Sequence, residues 1–464
     1  MKIKYFNHAS ISIRSSTSNF SLLTDPWTYG PIYSGSMWPF PEPNINRDEY
    51  FSHDAIYISH THPDHFSPNT LKNFSRNIKI FIRQYEKEIP FKKELNFLGF
   101  KNIYELQHRE KINISKDFFI TSVHDKDTVD SLLIAENAKK TFLMQNDCFL
   151  KRQEYKWISK NYKIDLAGIF FMGIGPNPGS FTLPWYDKEK IVKQKKLDNF
   201  YRALRTTNLL GAKKVFPCSN DMIWFRRPDL AILNGALPYD FKIFLKEKKR
   251  KDIAIILNSG DVFDIKLNKL RQINYRDRFK TKNEQLNRYF NNYFNKKIKR
   301  HIVKLSKWEE KYKFKSEQFF KLFSIYIKHL NVNKKNEIKK LKNFRIGLRI
   351  KNENNKIFCF VLSLMNKKLT FKNKKKLSDL YSDSHLVLQI NGNLVKMALD
   401  GIYTFEDLEN CSYLIDRFNN QYTYEEQYFW KILSEFNWFL KNKGYYQNSK
   451  QLLRYQINCN NLKV

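Results

Sequence analysis

The segment Ser59-His60-Thr61-His62-Pro63-Asp64-His65, directly after the apolar run Ala55-Ile56-Tyr57-Ile58, constrains this chain more than any other feature. A short apolar run of β-formers predicts a buried strand, so the histidines sit on the loop at its carboxyl end. Imidazole and carboxylate groups gathered on one loop must satisfy each other or hold a cation, because burying them unpaired is costly. Metal binding is the reading that fits. His60 and His62, two apart in an extended segment, project to the same side and can chelate one ion. Asp64 and His65 come next as the chain turns towards a helix, which lets them address a second ion. Ser67 as an N-cap and Pro68 as the first helical residue mark where that helix starts.

Around the loop, strand-like runs recur at Ile11–Arg14, Phe20–Leu23, Ile78–Ile82, Phe118–Thr121 and Lys140–Met144, with helical patterns between them. Short strands mixed with helices predict a layered α/β domain over residues 1–262. Residues 263–345 change character: from Lys266 to Lys342 there are 24 lysines and arginines against six acids, with neither glycine nor proline. This stretch predicts a basic helical connector whose Trp308, Tyr312, Phe319, Phe320, Phe323, Ile325 and Ile327 face the body while the lysines stay wet. Basic residues interleaved with aromatics can also form a nucleic-acid groove, but aromatics at helical spacing usually belong to a core, so nucleic acid is disfavoured as a partner. Residues 346–464 predict a small α+β accessory domain. In it, Lys356–Leu362 reads as a buried strand, His385–Ile390 as a strand entering a tight turn at Asn391-Gly392-Asn393 with Leu394–Met397 returning, and Tyr424–Leu440 as a terminal helix.

A length of 464 residues suits two or three domains, and 42% hydrophobic residues exclude a disordered chain. Cys148, Cys218, Cys359, Cys411 and Cys459 include no Cys-x-x-Cys pair, which argues against a disulfide framework or zinc finger and for a reducing cytoplasm. No stretch of about 18 uninterrupted apolar residues occurs, so neither a membrane span nor a secretory signal is expected. The formal net charge of +36 favours an anionic partner without choosing one.

The His-x-His-x-Asp-His pattern at His60, His62, Asp64 and His65 resembles the signature of the metallo-β-lactamase superfamily, whose fold is an αββα sandwich. The resemblance implies further ligands at His124, after Phe118–Val123, and at Asp147, after Phe142–Asn146. His60, His62 and His124 would then hold a first metal and Asp64 and His65 a second, with Asp147 bridging. His8-Ala9-Ser10, Leu23-Thr24-Asp25-Pro26-Trp27, the Trp38–Pro41 stretch and Asn146-Asp147-Cys148 look like the catalytic part of CMP-N-acetylneuraminic acid hydroxylases and their bacterial relatives. His8 and Asp25 either support the ligands from behind or make structural hydrogen bonds in an early hairpin.

The chain departs from the pattern in two places. Related hydrolases add a final histidine after a late strand, where this chain reads Lys214–Asp221 with none; Asp221 either substitutes as a ligand or caps the next helix. The hydroxylase family also pairs the domain with a Rieske module needing Cys-x-His pairs, and none occurs in this sequence, so an oxygenase would draw electrons from a separate donor. Two more segments are candidates for substrate contact: Asn177 within Gly173–Ser180, a rigid turn or a binding loop, and Arg226-Arg227, a solvated pair or a bidentate phosphate grip. The resulting expectation is an enzyme with two divalent metal ions, iron or zinc, acting on a small anionic metabolite. Iron would suit hydroxylation of a nucleotide-sugar-like substrate. Zinc would suit hydrolysis of a lactone, amide or phosphodiester, with Asp64 or Asp147 accepting the proton of a bound water. The remaining alternative is a non-catalytic metal-holding protein whose connector binds nucleic acid.

Overall fold

The computed structural model describes residues 1–444 apart from 29, 34, 86–90, 126–128, 174–177, 180, 225–235, 251–252, 274–277, 406–407, 409–412, 418–428, 430, 434, 438 and 441–442. In chain order the strands are β1 (Lys2–Asn7), β2 (Ser10–Arg14), β3 (Ser21–Thr24), β4 (Met37–Pro39), β5 (Ala55–Ile58), β6 (Lys79–Arg83), β7 (Asn102–Leu106), β8 (Lys111–Ser115), β9 (Phe118–Val123), β10 (Leu132–Asn137) and β11 (Lys140–Met144). They continue with β12 (Leu166–Phe170), β13 (Lys214–Cys218), β14 (Met222–Trp224), β15 (Val262–Asp264), β16 (Lys269–Arg271), β17 (Phe344–Lys351), β18 (Ile357–Met365), β19 (Lys368–Lys374), β20 (Leu386–Asn391) and β21 (Tyr413–Arg417). One sheet runs β16-β15-β1-β2-β3-β5-β6-β7 and a second β13-β12-β11-β10-β9-β8.

Strand alternation sorts the side chains into layers. In β5, Ala55 and Tyr57 point between the two sheets, where they meet Phe118, Ile120, Phe142 and Phe216 of the second sheet. Ile56 and Ile58 point the other way, onto α1 (Arg47–Phe51), α2 (Pro68–Leu71) and α3 (Phe91–Phe97) through Tyr50, Leu71, Phe91 and Leu95. The outer face of the second sheet is covered by α4 (Arg152–Asn161), α5 (Trp185–Leu210) and α6 (Pro238–Glu247), which contribute Ile158, Phe200, Phe241 and Leu245. Helix, sheet, sheet, helix is therefore the order of layers, as the motif implied. β5 pairs in parallel with β3 and β6 and is buried along its whole length, which is why it reads as an unbroken apolar run.

The boundary read at residue 262 falls inside β15, which pairs with β1 and carries the first sheet on to β16. Beyond it come α7 (Lys282–Arg288), a π-helical stretch at Tyr289–Ile298, α8 (Lys299–Glu309), α9 (Ser316–Asn333) and α10 (Lys335–Ile338). Tyr289 packs with Phe40 and Ile223 of the first unit and donates a hydrogen bond to the Trp224 carbonyl at 3.0 Å. Phe319, Phe323, Tyr326 and Ile327 of α9 are instead buried against β17, β18, β19 and β20, so those rings are part of a core and are not free to stack on bases.

That core belongs to a mixed sheet of order β19-β18-β17-β20-β21, with β17 and β20 parallel. It also carries α11 (Leu377–Ser382) and α12 (Gly392–Leu399). The tight turn and returning strand expected at Asn391–Met397 are α12 instead. Asn391 is its N-cap and accepts from Asn393 N at 2.8 Å, and Leu394, Val395, Met397, Ala398 and Leu399 are all buried, a helical rather than alternating pattern. The expected terminal helix at 424–440 is helical at each of its described residues, 429, 431–433, 435–437 and 439–440, and the rest of it lies outside the described residues. No helix among the described residues is long and apolar enough to cross a membrane.

Candidate metal centre

The strand ends of the two sheets bring the charged loop residues together at one rim. β3 and β5 are parallel neighbours, so Asp25, just past β3, lies beside Ser59, just past β5; Asp25 N donates to the Tyr57 carbonyl at 2.9 Å. The fully buried Asp25 carboxylate accepts from Ser59 N at 2.7 Å, from Ser59 Oγ at 2.7 Å and from His65 Nδ1 at 2.8 Å. With Nδ1 occupied, His65 presents Nε2 to the rim. That atom is buried without a hydrogen-bond partner, 3.5 Å from Asp64 Oδ2 and 3.6 Å from Asp147 Oδ1. Asp147 Oδ1 is likewise buried and unpartnered.

His60 is fully buried and its ring lies 4.1 Å from that of His65 and 4.3 Å from that of His62. His60 Nε2 approaches His62 Nδ1 to 2.7 Å and Asp130 Oδ1 to 3.4 Å. On the other side, His8 Nε2 contacts Asp64 Oδ2 at 3.0 Å and Tyr33 donates to Asp64 Oδ1 at 2.9 Å. Ligand-type atoms converge within 4.8 Å in three overlapping sets: His60, His62 and Asp130; His60, His65 and Asp147; His8, Asp64 and His65.

The electrostatics come from burying three imidazoles, His8, His60 and His65, among carboxylates, with His62 half-buried beside them. Burial and the neighbouring His65 and His62 push the His60 pKa well below its ordinary value. Burial opposes charge on His65 too, but Asp64, Asp147 and Asp25 outweigh it and hold its pKa well above normal. Asp64 is held well below the usual carboxylate range: burial works against its charge, and His65 and His8 overcome that. Asp130 is pushed up to about 6 by burial.

Asp130 was not apparent in the sequence, since it belongs to no motif. Its position is set by Arg83 Nη1, which donates to the Asp130 carbonyl at 3.0 Å, and by Ser131 Oγ, which donates to the Ser59 carbonyl at 2.7 Å. Tyr33 was also missed, because nothing marks it before the chain folds.

Residues 2–147 match the beta-lactamase superfamily domain, described by that name. They form a metallo-β-lactamase superfamily domain. The matched residues run from β1 to the Asp147 turn and include every residue of the three converging sets. A protein of Mycolicibacterium smegmatis named as a Rieske 2Fe-2S iron-sulfur protein is 27% identical over 246 residues, covering 50% of this chain and 46% of that one. The cytidine monophosphate-N-acetylneuraminic acid hydroxylase of Asterias rubens is 31% identical over 121 residues, covering 25% of this chain and 18% of the relative. This chain therefore spans about half the length of the first relative and less of the second. Among solved structures, the isothiocyanate hydrolase from Delia radicum gut bacteria aligns with a TM-score of 0.43 at 13% identity, covering 57% of this chain and 99% of that one.

The remaining expected positions of the superfamily domain and the residues after it fall out differently. His124, at the end of β9, joins none of the three sets among the described residues; its Nδ1 is 3.3 Å from Ser122 Oγ, its ring is 5.3 Å from that of His108, and burial pushes its pKa down to about 3. Asp221 is likewise absent from them among the described residues: its Oδ2 accepts from the Tyr5 hydroxyl and, at 3.0 Å, from the His8 N–H, which ties the residues after β13 to the His8 turn. His8, expected behind the ligands, stands among them, with φ of 47° aiming its ring at Asp64. Asn177, Arg226 and Arg227 lie outside the described residues.

Proposed function

We propose that the chain is a metal-dependent enzyme acting on a small anionic metabolite, with hydroxylation of a nucleotide-sugar-like substrate as its chemistry. The observation that carries the metal is the buried facing pair His65 Nε2 and Asp147 Oδ1, 3.6 Å apart beside His60 and neither in a hydrogen bond. A cation lying near both would satisfy two groups that are otherwise costly to bury. His60, His62 and Asp130 would hold one ion and His8, Asp64 and His65 another, with Asp147 between them. Bound there, such ions supply oxygen activation if iron, or a water acidic enough to ionise near neutral pH if zinc.

The chain's own residues do the rest. Asp25 holds the His65 ring by Nδ1, and Tyr33 and His8 fix the two oxygens of Asp64. The Asp147 side chain, 26% exposed, is the more accessible carboxylate and so the one placed to meet substrate or accept a proton. The net charge of +36 attracts an anion. The hydroxylase reading is supported by the hydroxylase relative, and an iron–sulfur electron donor for it by the Rieske-named relative. Zinc hydrolysis is the second reading, favoured by Asp147 standing beside the imidazole cluster as a general base.

Elemental analysis of the full chain purified without added metal, combined with oxygen uptake in the presence of a reductant and a CMP-linked sugar acid, tests the proposal. Iron with uptake is the expected result, and zinc without uptake transfers the assignment to hydrolysis. Full metal content in a His62→Ala variant overturns both.

A further inference from the structure

On the outer face of the second sheet, away from the metal centre's ligands, a cleft of about 530 Å³ opens between residues 149–155 and the second half of α5. Its walls are mainly Phe149, Tyr155 and Leu209, and three guanidinium groups, Arg152, Arg202 and Arg205, line it. The cleft continues into an open stretch of about 750 Å³ along α5 that shares Arg202 and Arg205.

Three exposed guanidinium groups around one small apolar cleft make its mouth positively charged and favour an anion there. The protein does not supply it: none of the three arginines has a carboxylate within ion-pair distance among the described residues. The nearby acids are engaged elsewhere, Glu154 by Arg109 at 2.8 Å and Asp198 by Gln194 at 2.8 Å. Arg202 and Arg205 are three apart on one helix and so share a face. The Arg202 guanidinium carbon lies 4.7 Å from the Phe149 ring centroid, a cation–π contact that ties this arginine to the apolar wall, and a guanidinium can grip a phosphate bidentately. The volume is that of a small-molecule site and not of a protein interface.

We propose that this cleft binds a phosphorylated small molecule with an aromatic or apolar body, the phosphate held by Arg152, Arg202 and Arg205 and the body against Phe149, Tyr155 and Leu209. The cleft lies close to the metal centre along the chain. Phe149 is two residues from Asp147, at most about 7 Å along the chain. Gln145 Nε2, which donates to the Cys148 carbonyl at 3.1 Å, ties the same turn together. A ligand in the cleft therefore rests on the turn that carries Asp147, whatever reaction the metal centre performs.

Calorimetric titration of the full chain at low ionic strength tests this, with cytidine 5′-monophosphate as the ring-bearing probe and inorganic pyrophosphate as the charge-only probe. The expected result is one cytidine monophosphate per chain, bound more tightly than pyrophosphate. In an Arg202→Gln/Arg205→Gln variant of unchanged melting temperature, both should weaken at least tenfold. A Lys335→Gln/Lys339→Gln variant, which removes the same charge from an exposed helix elsewhere, should bind as the parent does. Equal weakening by the lysine variant would reduce the effect to diffuse attraction and overturn the proposal, as would an arginine variant that binds like the parent or a parent that binds neither probe.

Discussion

Replacing Asp25 by Asn separates the support of the metal centre from the fold itself. The carboxylate is fully buried and accepts three hydrogen bonds of 2.7, 2.7 and 2.8 Å. In the Asn variant one oxygen still accepts from Ser59 N, while the new amide faces Ser59 Oγ and His65 Nδ1. The serine hydroxyl can turn to accept. His65 can accept only by giving up its Nδ1 proton, which leaves its remaining proton on Nε2, the atom that faces Asp64 and Asp147. Bonds to a charged group contribute about 1.5–3 kcal/mol and neutral ones about 1, so the metal-free protein should lose about 1–2 kcal/mol and still fold. The metal should suffer more selectively: a protonated Nε2 is no ligand, and loss of such a supporting carboxylate typically weakens binding about 10- to 100-fold, or about 1.4–2.7 kcal/mol. Competition for zinc against a chromophoric chelator, with thermal melting of the stripped protein alongside, reads both quantities. Ser59→Ala removes a bond to Asp25 together with the Ser59 Oγ contacts to His60 Nδ1 at 3.0 Å and His65 Nδ1 at 3.2 Å, but leaves the Asp25 carboxylate on His65 Nδ1, so it should weaken zinc less than Asp25→Asn. Parental affinity in Asp25→Asn would refute the argument that Asp25 acts by orienting His65.

Asp130→Ala should weaken zinc binding more than His124→Ala in the same competition assay, because only Asp130 converges with His60 and His62; the reverse order would move the ligand to His124. Gly168→Ala should destabilise the fold by about 1–3 kcal/mol in denaturant titration, since a Cβ there would stand 2.6 Å from Met144 Sδ and 2.9 Å from Phe216 Cζ, its neighbours on the flanking strands. Asn391→Ala should cost about 1 kcal/mol in the same measurement by removing the α12 N-cap, whereas a hairpin turn at this position would lose far less.

Local pattern carried much of this protein. The run Ala55–Ile58 and the Ser67-Pro68 signal are short-range physics, a strand buried on both faces and a capped first helical turn, and they stand in the structure as β5 and α2. The stretch after Asn391 misled because an Asn-Gly pair serves a hairpin and a helix start equally well; the apolar spacing from Leu394 to Leu399 was the better guide. That the first sheet runs on past residue 262 was invisible because β15 finds its partner in β1, at the opposite end of that domain's sequence.

The sequence by itself determined that imidazoles and carboxylates would crowd one loop after a buried strand, since His60, His62, Asp64 and His65 are neighbours along the chain. Only the tertiary structure decided which distant groups face them. Parallel pairing of β3 with β5 put Asp25 behind His65, the β1–β2 turn delivered His8 to Asp64, and the end of the 124–131 segment turned Asp130 towards His60. The physical reason is that coordination needs atoms within a few ångströms, and for residues tens of positions apart that spacing is set by strand register and loop anchoring.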